Sequence, residues 1–326
     1  MRTVLVFIEG TICDTRPRHH LLGTPDFHRR EEILRDLAVP GSVQCLQQLA
    51  QRYEIVYIGA RPVFALLYTE EWLERMGFPK GSVYLAETHE ERLALARDLR
   101  EKFDFIAGVG DRWDDNELHL EIGCLSIILK EFEGNWDIAH QHIVKHEREE
   151  SIKENEVALR GKIEGLARVL PPLHAKYGDE MWEVWFEAVQ KMAETTRDAR
   201  EKEDREAFAR HGLSPEDLRD AAKLDEIALE EDWEQNPAFG LQDVETVEAA
   251  ERRHVSKVTR CLYAELWQEH GRPDIGYQIH CRTDIPFLDH PVWNPKVRLE
   301  RSKTLMQDDA CCLFIQYLPD DEDHRE

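Results

Sequence analysis

Five short apolar runs, alternating with stretches of helical period, constrain the first 130 residues of this chain more than any other feature. They are Thr3 to Ile8, Glu54 to Gly59, Ser82 to Leu85, Phe103 to Val109 and Cys124 to Leu129. Each is rich in β-branched or aromatic residues and bounded by glycine or polar residues, as a strand buried on both faces should be. Between them, Ser42 to Arg52, Pro62 to Met76 and Glu90 to Lys102 have helical spacing, the second stopping at Gly77. Strand alternating with helix predicts a doubly wound parallel α/β sheet, which takes ligands at the carboxyl ends of its strands.

The pattern changes after residue 136. No proline interrupts the charged stretch Asp137 to Leu170, which predicts a helical connector over 137–170. Pro171-Pro172 restarts the pattern, and helical segments follow over about Pro172 to Arg210 and Ser214 to Glu231. Ser214-Pro215-Glu216 supplies the second with an N-cap, a first-turn proline and an acidic first turn. Met181, Trp182, Trp185, Phe186 and Val189 share one helical face and read as core. A long helix is expected over Val244 to His270, then strands at Ile275 to His280, Lys296 to Glu300 and Cys311 to Tyr317, the last two antiparallel. The whole reads as an α/β domain over 1–136 and an α+β domain over 171–319, mostly helical with a small antiparallel sheet. An acidic tail follows over 320–326, and 326 residues are enough for two cores.

Charge and cysteine usage narrow the function. A formal net charge of −24, with no Lys/Arg stripe, argues against nucleic acid as a partner. No window approaches the ~18 to 20 uninterrupted apolar residues of a membrane helix, and no cleavage site follows the apolar start, so neither membrane nor export is expected. Seven scattered cysteines (Cys13, Cys45, Cys124, Cys261, Cys281, Cys311, Cys312) are not a disulfide framework and suit a reducing cytoplasm, as thiols or ligands.

Three segments carry the candidate chemistry of the first domain: Val4 to Ile12, with Phe7-Ile8-Glu9-Gly10-Thr11; Tyr57 to Pro62; and Gly110-Asp111-Arg112-Trp113-Asp114-Asp115. Over residues 1 to 135 they resemble the haloacid-dehalogenase-like (HAD-like) family, with its D-x-D-G-T and GDxxxD motifs. That resemblance implies an aspartyl nucleophile and an acid/base aspartate, but their positions hold Phe7 and Glu9, and Gly59 stands where a Thr or Ser is expected. Lys80 and Lys102 are the nearest candidates for the third-motif lysine. A phenyl ring cannot attack phosphorus, so a pseudophosphatase is expected. Glu9, Asp111 and Asp115 remain a weak candidate set for Mg²⁺, against the plainer reading of strand-end and capping residues. Asp14 to His20 is basic enough to suggest an anionic ligand.

In the second domain, Cys281 with Asp284 three residues on places a soft nucleophile near a carboxylate, with Cys261, Cys312, His280, His290 and Asp309 close in sequence. Cys261 is expected on a helix, Cys281 at the end of a strand with His280 turned away from it, and Cys311 and Cys312 on opposite faces of a strand. The blocks Val258 to Ala264, Ile279 to Asp284, Trp293 to Arg301, and Lys303 to Met306 running to Cys311-Cys312-Leu313-Phe314 resemble the L-2-amino-thiazoline-4-carboxylic acid hydrolase family. Two departures stand out: Asp308 where a glycine is expected and Leu313 where an aspartate is. The resemblance implies a hydrolase opening a C–N or C–S bond of a small anionic heterocycle, a cyclic amidine or thiazoline carboxylic acid. Cys281 is then the thiolate nucleophile, Asp284 the proton carrier, and Arg301 and Asn294 contact substrate. A variant has Cys261, Cys281, Cys312 and Asp284 holding Zn or Fe, although no zinc-ribbon spacing is present. The rival functions are a non-catalytic ligand-binding or regulatory protein and a metal-dependent lyase or redox enzyme using the cysteine cluster. A homo-oligomer is compatible with either.

Overall fold

The computed structural model describes residues 1–231 and 240–319, and the acidic tail expected over 320–326 lies outside the described residues. Contacts divide the chain into two compact units, Met1–Glu147 and the part beginning at Arg148. Among the described residues no helix is long and apolar enough to cross a membrane.

The first unit runs β1 (Arg2–Phe7), β2 (Cys13–Asp14), α1 (Arg30–Ile33), β3 (Leu37–Ala38), α2 (Ser42–Leu49), β4 (Glu54–Gly59), α3 (Leu66–Met76), β5 (Ser82–Leu85), α4 (His89–Arg100), β6 (Asp104–Gly110), α5 (Trp113–Ile122) and β7 (Leu125–Ile128). Five strands form a parallel sheet in the order β5-β4-β1-β6-β7. The chain fills one side of β1 and then crosses to the other at β6, so the order reverses at β1. The crevice beyond its carboxyl end, between β4 and β6, is where such sheets place ligands.

Two-residue periodicity gives β1 two buried faces. Val4, Val6 and Ile8 pack with Leu46, Tyr53 and Trp72 on one side; Leu5 and Phe7 pack with Ile58, Leu99 and Leu118 on the other. Each such side chain contributes about 1.5–3 kcal/mol by leaving water. Helix α4 begins at a capping box, the Thr88 hydroxyl accepting the Glu91 N–H and the Glu91 carboxylate accepting that of Thr88.

Helix α6 (Trp136–Tyr177) carries the division between the units. Its Ala139 and Ile143 belong to the first core, and its Leu159, Ile163 and Leu170 to the second, so 137–170 is built into both cores. Pro171 and Pro172 do not restart a pattern: they lie inside the same helix, whose packed face at Leu170 keeps it going despite two missing N–H donors. Then come α7 (Glu180–Thr195), α8 (Arg197–Arg210) and α9 (Leu218–Glu231). The Ser214 hydroxyl accepts the Glu216 N–H in a turn, and α9 starts only at Leu218. On α7, Trp182 is core, but Trp185 is 40% exposed.

The long helix expected over Val244 to His270 is instead a hairpin and a short helix: β8 (Gln242–Ala250), β9 (Arg253–Cys261) and α10 (Leu262–Glu269). β8 is an exposed edge strand with glutamates at 245 and 248, so it has no buried alternate face to betray it, and pairing with β9 overrides its helical propensity. The strand expected at Ile275 to His280 is helical. α11 (Pro273–Gly276), a π-turn (Tyr277–Cys281), a 3-10 turn (Arg282–Asp284) and α12 (Ile285–Leu288) follow without a break. Ile275 and Ile279, one helical turn apart, enter the core beside Trp267, and what reads as alternation is helical spacing. β10 (Arg298–Lys303) and β11 (Cys312–Tyr317) pair antiparallel and complete the sheet β10-β11-β9-β8.

Candidate functional site

A cavity of about 370 Å³ opens in the second unit where β9 hands over to α10 and where the π-turn meets β10 and β11. Cys261 and Tyr263 line it from the β9 end, His280, Cys281 and Asp284 from the π-turn and 3-10 turn, and Arg301, Cys312 and Phe314 from the sheet. Cys281 and Asp284 share the cavity because they lie three residues apart on one helical face, not because a strand ends between them. A π-turn is rare and is found disproportionately at functional sites.

Arg301 organises this wall. Its Nη1 donates to the Cys281 carbonyl at 2.7 Å and to Asp284 Oδ2 at 3.2 Å, and its guanidinium lies over the Phe314 ring, 4.4 Å from the centroid. Only 11% of the Arg301 side chain is exposed, against 46% of Asp284. The Arg301 Nε is buried without a hydrogen-bond partner. Burial pushes the Asp284 carboxyl up to about 6, against the pull of Arg301. The Cys281 thiol rises to about 11, burial again outweighing Arg301, with Asp284 acting in the same direction as burial. At neutral pH Cys281 is therefore a thiol, not the thiolate the sequence suggested. Its Sγ faces Thr304 Oγ1 at 4.0 Å.

His280, expected to face away from Cys281, lines the same cavity because the backbone there is helical. Its ring lies 4.8 Å from that of Tyr263, its Nε2 is buried without a partner, and burial lowers its pKa to about 4, so it is neutral. Tyr263 falls inside the block Val258 to Ala264 that carries the family resemblance, whereas no sequence signal marked Gln242, which is bonded through its amide to Cys261 Sγ at 3.7 Å. Cys312 faces the cavity and accepts the Leu305 N–H at 3.3 Å, while Cys311 is not part of the lining.

Other sequence candidates stand elsewhere. Asn294 is buried outside the cavity, its amide donating to the Pro215 carbonyl and accepting the Lys296 N–H. His290 bonds to the Pro295 carbonyl, and Asp309 accepts the Thr304 N–H. Asp308 holds φ at 64°, in the left-handed region where glycine costs least, which accounts for a glycine being expected there.

Cys261, Cys281, Cys312 and Asp284 surround the cavity without closing on a point. Among the described residues no three His, Cys, Asp or Glu side chains form a group that could hold a metal ion.

The same holds at the end of β1. Glu9 is bound by Arg61 and by the Ala60 N–H, which outweigh burial and hold its carboxyl below the usual range. Asp115 accepts the Asp111 and Arg112 N–H groups at 3.0 Å each, capping α5. Asp111 accepts Thr11, and burial pushes it up to about 6; its Oδ2 has no hydrogen-bond partner, with Arg112 3.5 Å away. Gly10, at φ 81°, lets the chain pass there, because a Cβ would lie 2.3 Å from Asp111. Among the described residues Glu9, Asp111 and Asp115 do not form a group of three that could hold a metal ion. Phe7 is buried, 5.5 Å from the His119 ring. The basic Asp14 to His20 segment spends its arginines internally, Arg16 on Asp14 and Arg18 on the buried Asp36.

Residues 167–315 match the family model of L-2-amino-thiazoline-4-carboxylic acid hydrolase. Among curated proteins none matches the chain. Solved structures similar to it include a chain of the Pnkp1/Rnl/Hen1 RNA repair complex, 15% identical, with 41% of this chain and 43% of that one covered and a TM-score of 0.32. The class C acid phosphatase from Bacillus anthracis is 20% identical, with 45% and 78% covered and a TM-score of 0.32. The same phosphatase with tungstate bound gives 44%, 78% and 0.33. The chain thus spans less than half the length of the first of these relatives.

Proposed function

We propose that the unit beginning at Arg148 hydrolyses a small carboxylic acid of the cyclic amidine or thiazoline type, opening a C–N or C–S bond in the cavity of Cys281, Asp284 and Arg301, and that it does so in the cytoplasm. The supporting observation is that Arg301 joins the Cys281 backbone and the Asp284 carboxylate into one wall of a cavity inside the segment that matches the hydrolase family.

Asp284, with its pKa near 6, is ionised at neutral pH yet basic enough to accept a proton. It takes the proton of the Cys281 thiol as sulfur attacks the ring carbon between N and S. The proton then passes to the leaving ring atom as its bond breaks, and water releases the product from Cys281. The partnerless Arg301 Nε meets the substrate carboxylate. The test is loss of 2-aminothiazoline-4-carboxylate followed by chromatography. Cys281→Ser and Asp284→Asn should each slow it by about 10²–10⁴-fold; a wild-type chain that leaves the compound intact removes this reading.

The first unit, in this proposal, is a HAD-like domain without phosphoryl transfer. Phe7 fills the nucleophile position from within a hydrophobic core, and Glu9 is neutralised by Arg61. Its role in this proposal is that of scaffold, partner surface or lid.

A further inference from the structure

A second cavity, of about 220 Å³, lies in the same unit on the other side of Phe314, which lines both. Two carboxylates face it: Asp204 on α8, half-buried, and Asp225 on α9, exposed at its mouth. Among the described residues neither has an ion-pair partner within 4 Å. The nearest influence on Asp204 is Arg200, whose guanidinium is committed to the Ala193 carbonyl, to Thr196 and to the face of Phe287. A half-buried carboxylate such as Asp204 is costly to leave unpaired unless something cationic joins it.

The third polar group points independently to a ligand. His254 on β9 lines the cavity, is only 4% exposed, and has an Nε2 that is buried without a partner. Gln316 is its cross-strand neighbour on β11. Burial keeps the ring neutral. In the tautomer protonated at Nδ1, Nε2 is an acceptor.

Asp204, Asp225 and His254 thus line, with Ser256 and Gln316, a cavity walled by Phe208 and Trp293, whose rings are 5.5 Å apart, and by Phe314. They do not group closely enough to hold a metal ion. We propose that this cavity binds a primary ammonium group carried on a short apolar stem. An ammonium offers three N–H donors and no acceptor, which matches Asp204, Asp225 and His254 Nε2, and aromatic faces favour a cation and its alkyl stem. A guanidinium is planar and would reach three acceptors around a pocket less well, while a neutral alcohol would leave both carboxylates unpaired.

Isothermal titration calorimetry of the full chain with n-butylammonium chloride tests this, with n-butanol and tetramethylammonium as controls. Saturable binding of butylammonium is expected, weakened about tenfold or more in Asp204→Asn/Asp225→Asn, with neither control competing. Butanol or tetramethylammonium binding as well as butylammonium overturns the proposal, as does full affinity in the double variant or no saturable heat from the wild type. If the double variant fails to fold, the wild-type comparison of butylammonium with its controls still decides. No step requires hydrolysis, so this inference and the proposed activity stand or fall separately.

Discussion

Arg301 Nη1 lies 3.2 Å from Asp284 Oδ2 while also holding the Cys281 carbonyl, so one guanidinium positions the carboxylate beside the thiol and opposes the rise in its basicity that burial causes. Arg301→Met should remove the opposing pull on Asp284 and raise its pKa above 6, shifting the acid limb of a pH–rate profile upward. Because the substrate clamp goes too, KM should rise together with that shift. An unchanged acid limb would mean that another group titrates there.

In the wild type, activity should fall about tenfold per pH unit below roughly 6, as the base becomes protonated. Stability carries the opposite sign. The folded pKa of Asp284 lies above its unfolded value of about 3.9, so its stabilising contribution is fully present below that value and is lost as pH rises through about 6. Asp284→Asn should flatten this decline, which urea midpoints measured at several pH values will show.

Cys281 should react slowly with iodoacetamide. With its pKa near 11, roughly one thiol in a thousand is ionised at pH 8. Peptide mass spectrometry should find its alkylation lagging behind that of a free cysteine and still rising at pH 10. Rapid labelling at pH 7 would place the thiolate in the resting protein and change the first step of the mechanism.

Arg61→Met should destabilise the first unit by about 3–5 kcal/mol, because it leaves the Glu9 carboxylate without its buried ion-pair partner, while Asp36 keeps Arg18. The urea midpoint reads this directly. An effect under about 1 kcal/mol would show that water enters the network.

Phe7→Asp should not create a phosphatase. The new carboxylate would sit in the layer of Leu5, Ile58, Leu99 and Leu118, where an unpaired charge is costly, and Glu9 would still be held by Arg61. A lower melting temperature with no hydrolysis of p-nitrophenyl phosphate is the expected result.

The sequence alone determined the five-stranded parallel sheet, because strands such as β1 are buried on both faces and show as continuous β-branched runs whatever surrounds them. It also determined the pairing of the last two strands, and Cys281 and Asp284 as neighbours, since a spacing of three keeps residues close on a helix as well as in a turn. Only the tertiary structure decided β8, whose glutamates prefer a helix until β9 offers its backbone, and the helical course of 273–288, where apolar residues four apart resemble alternation. That course turned His280 toward the cavity. It also decided ionisation: whether Cys281 is thiol or thiolate, and whether Glu9 is free, depends on burial and on arginines from distant parts of the chain, and local sequence carries neither.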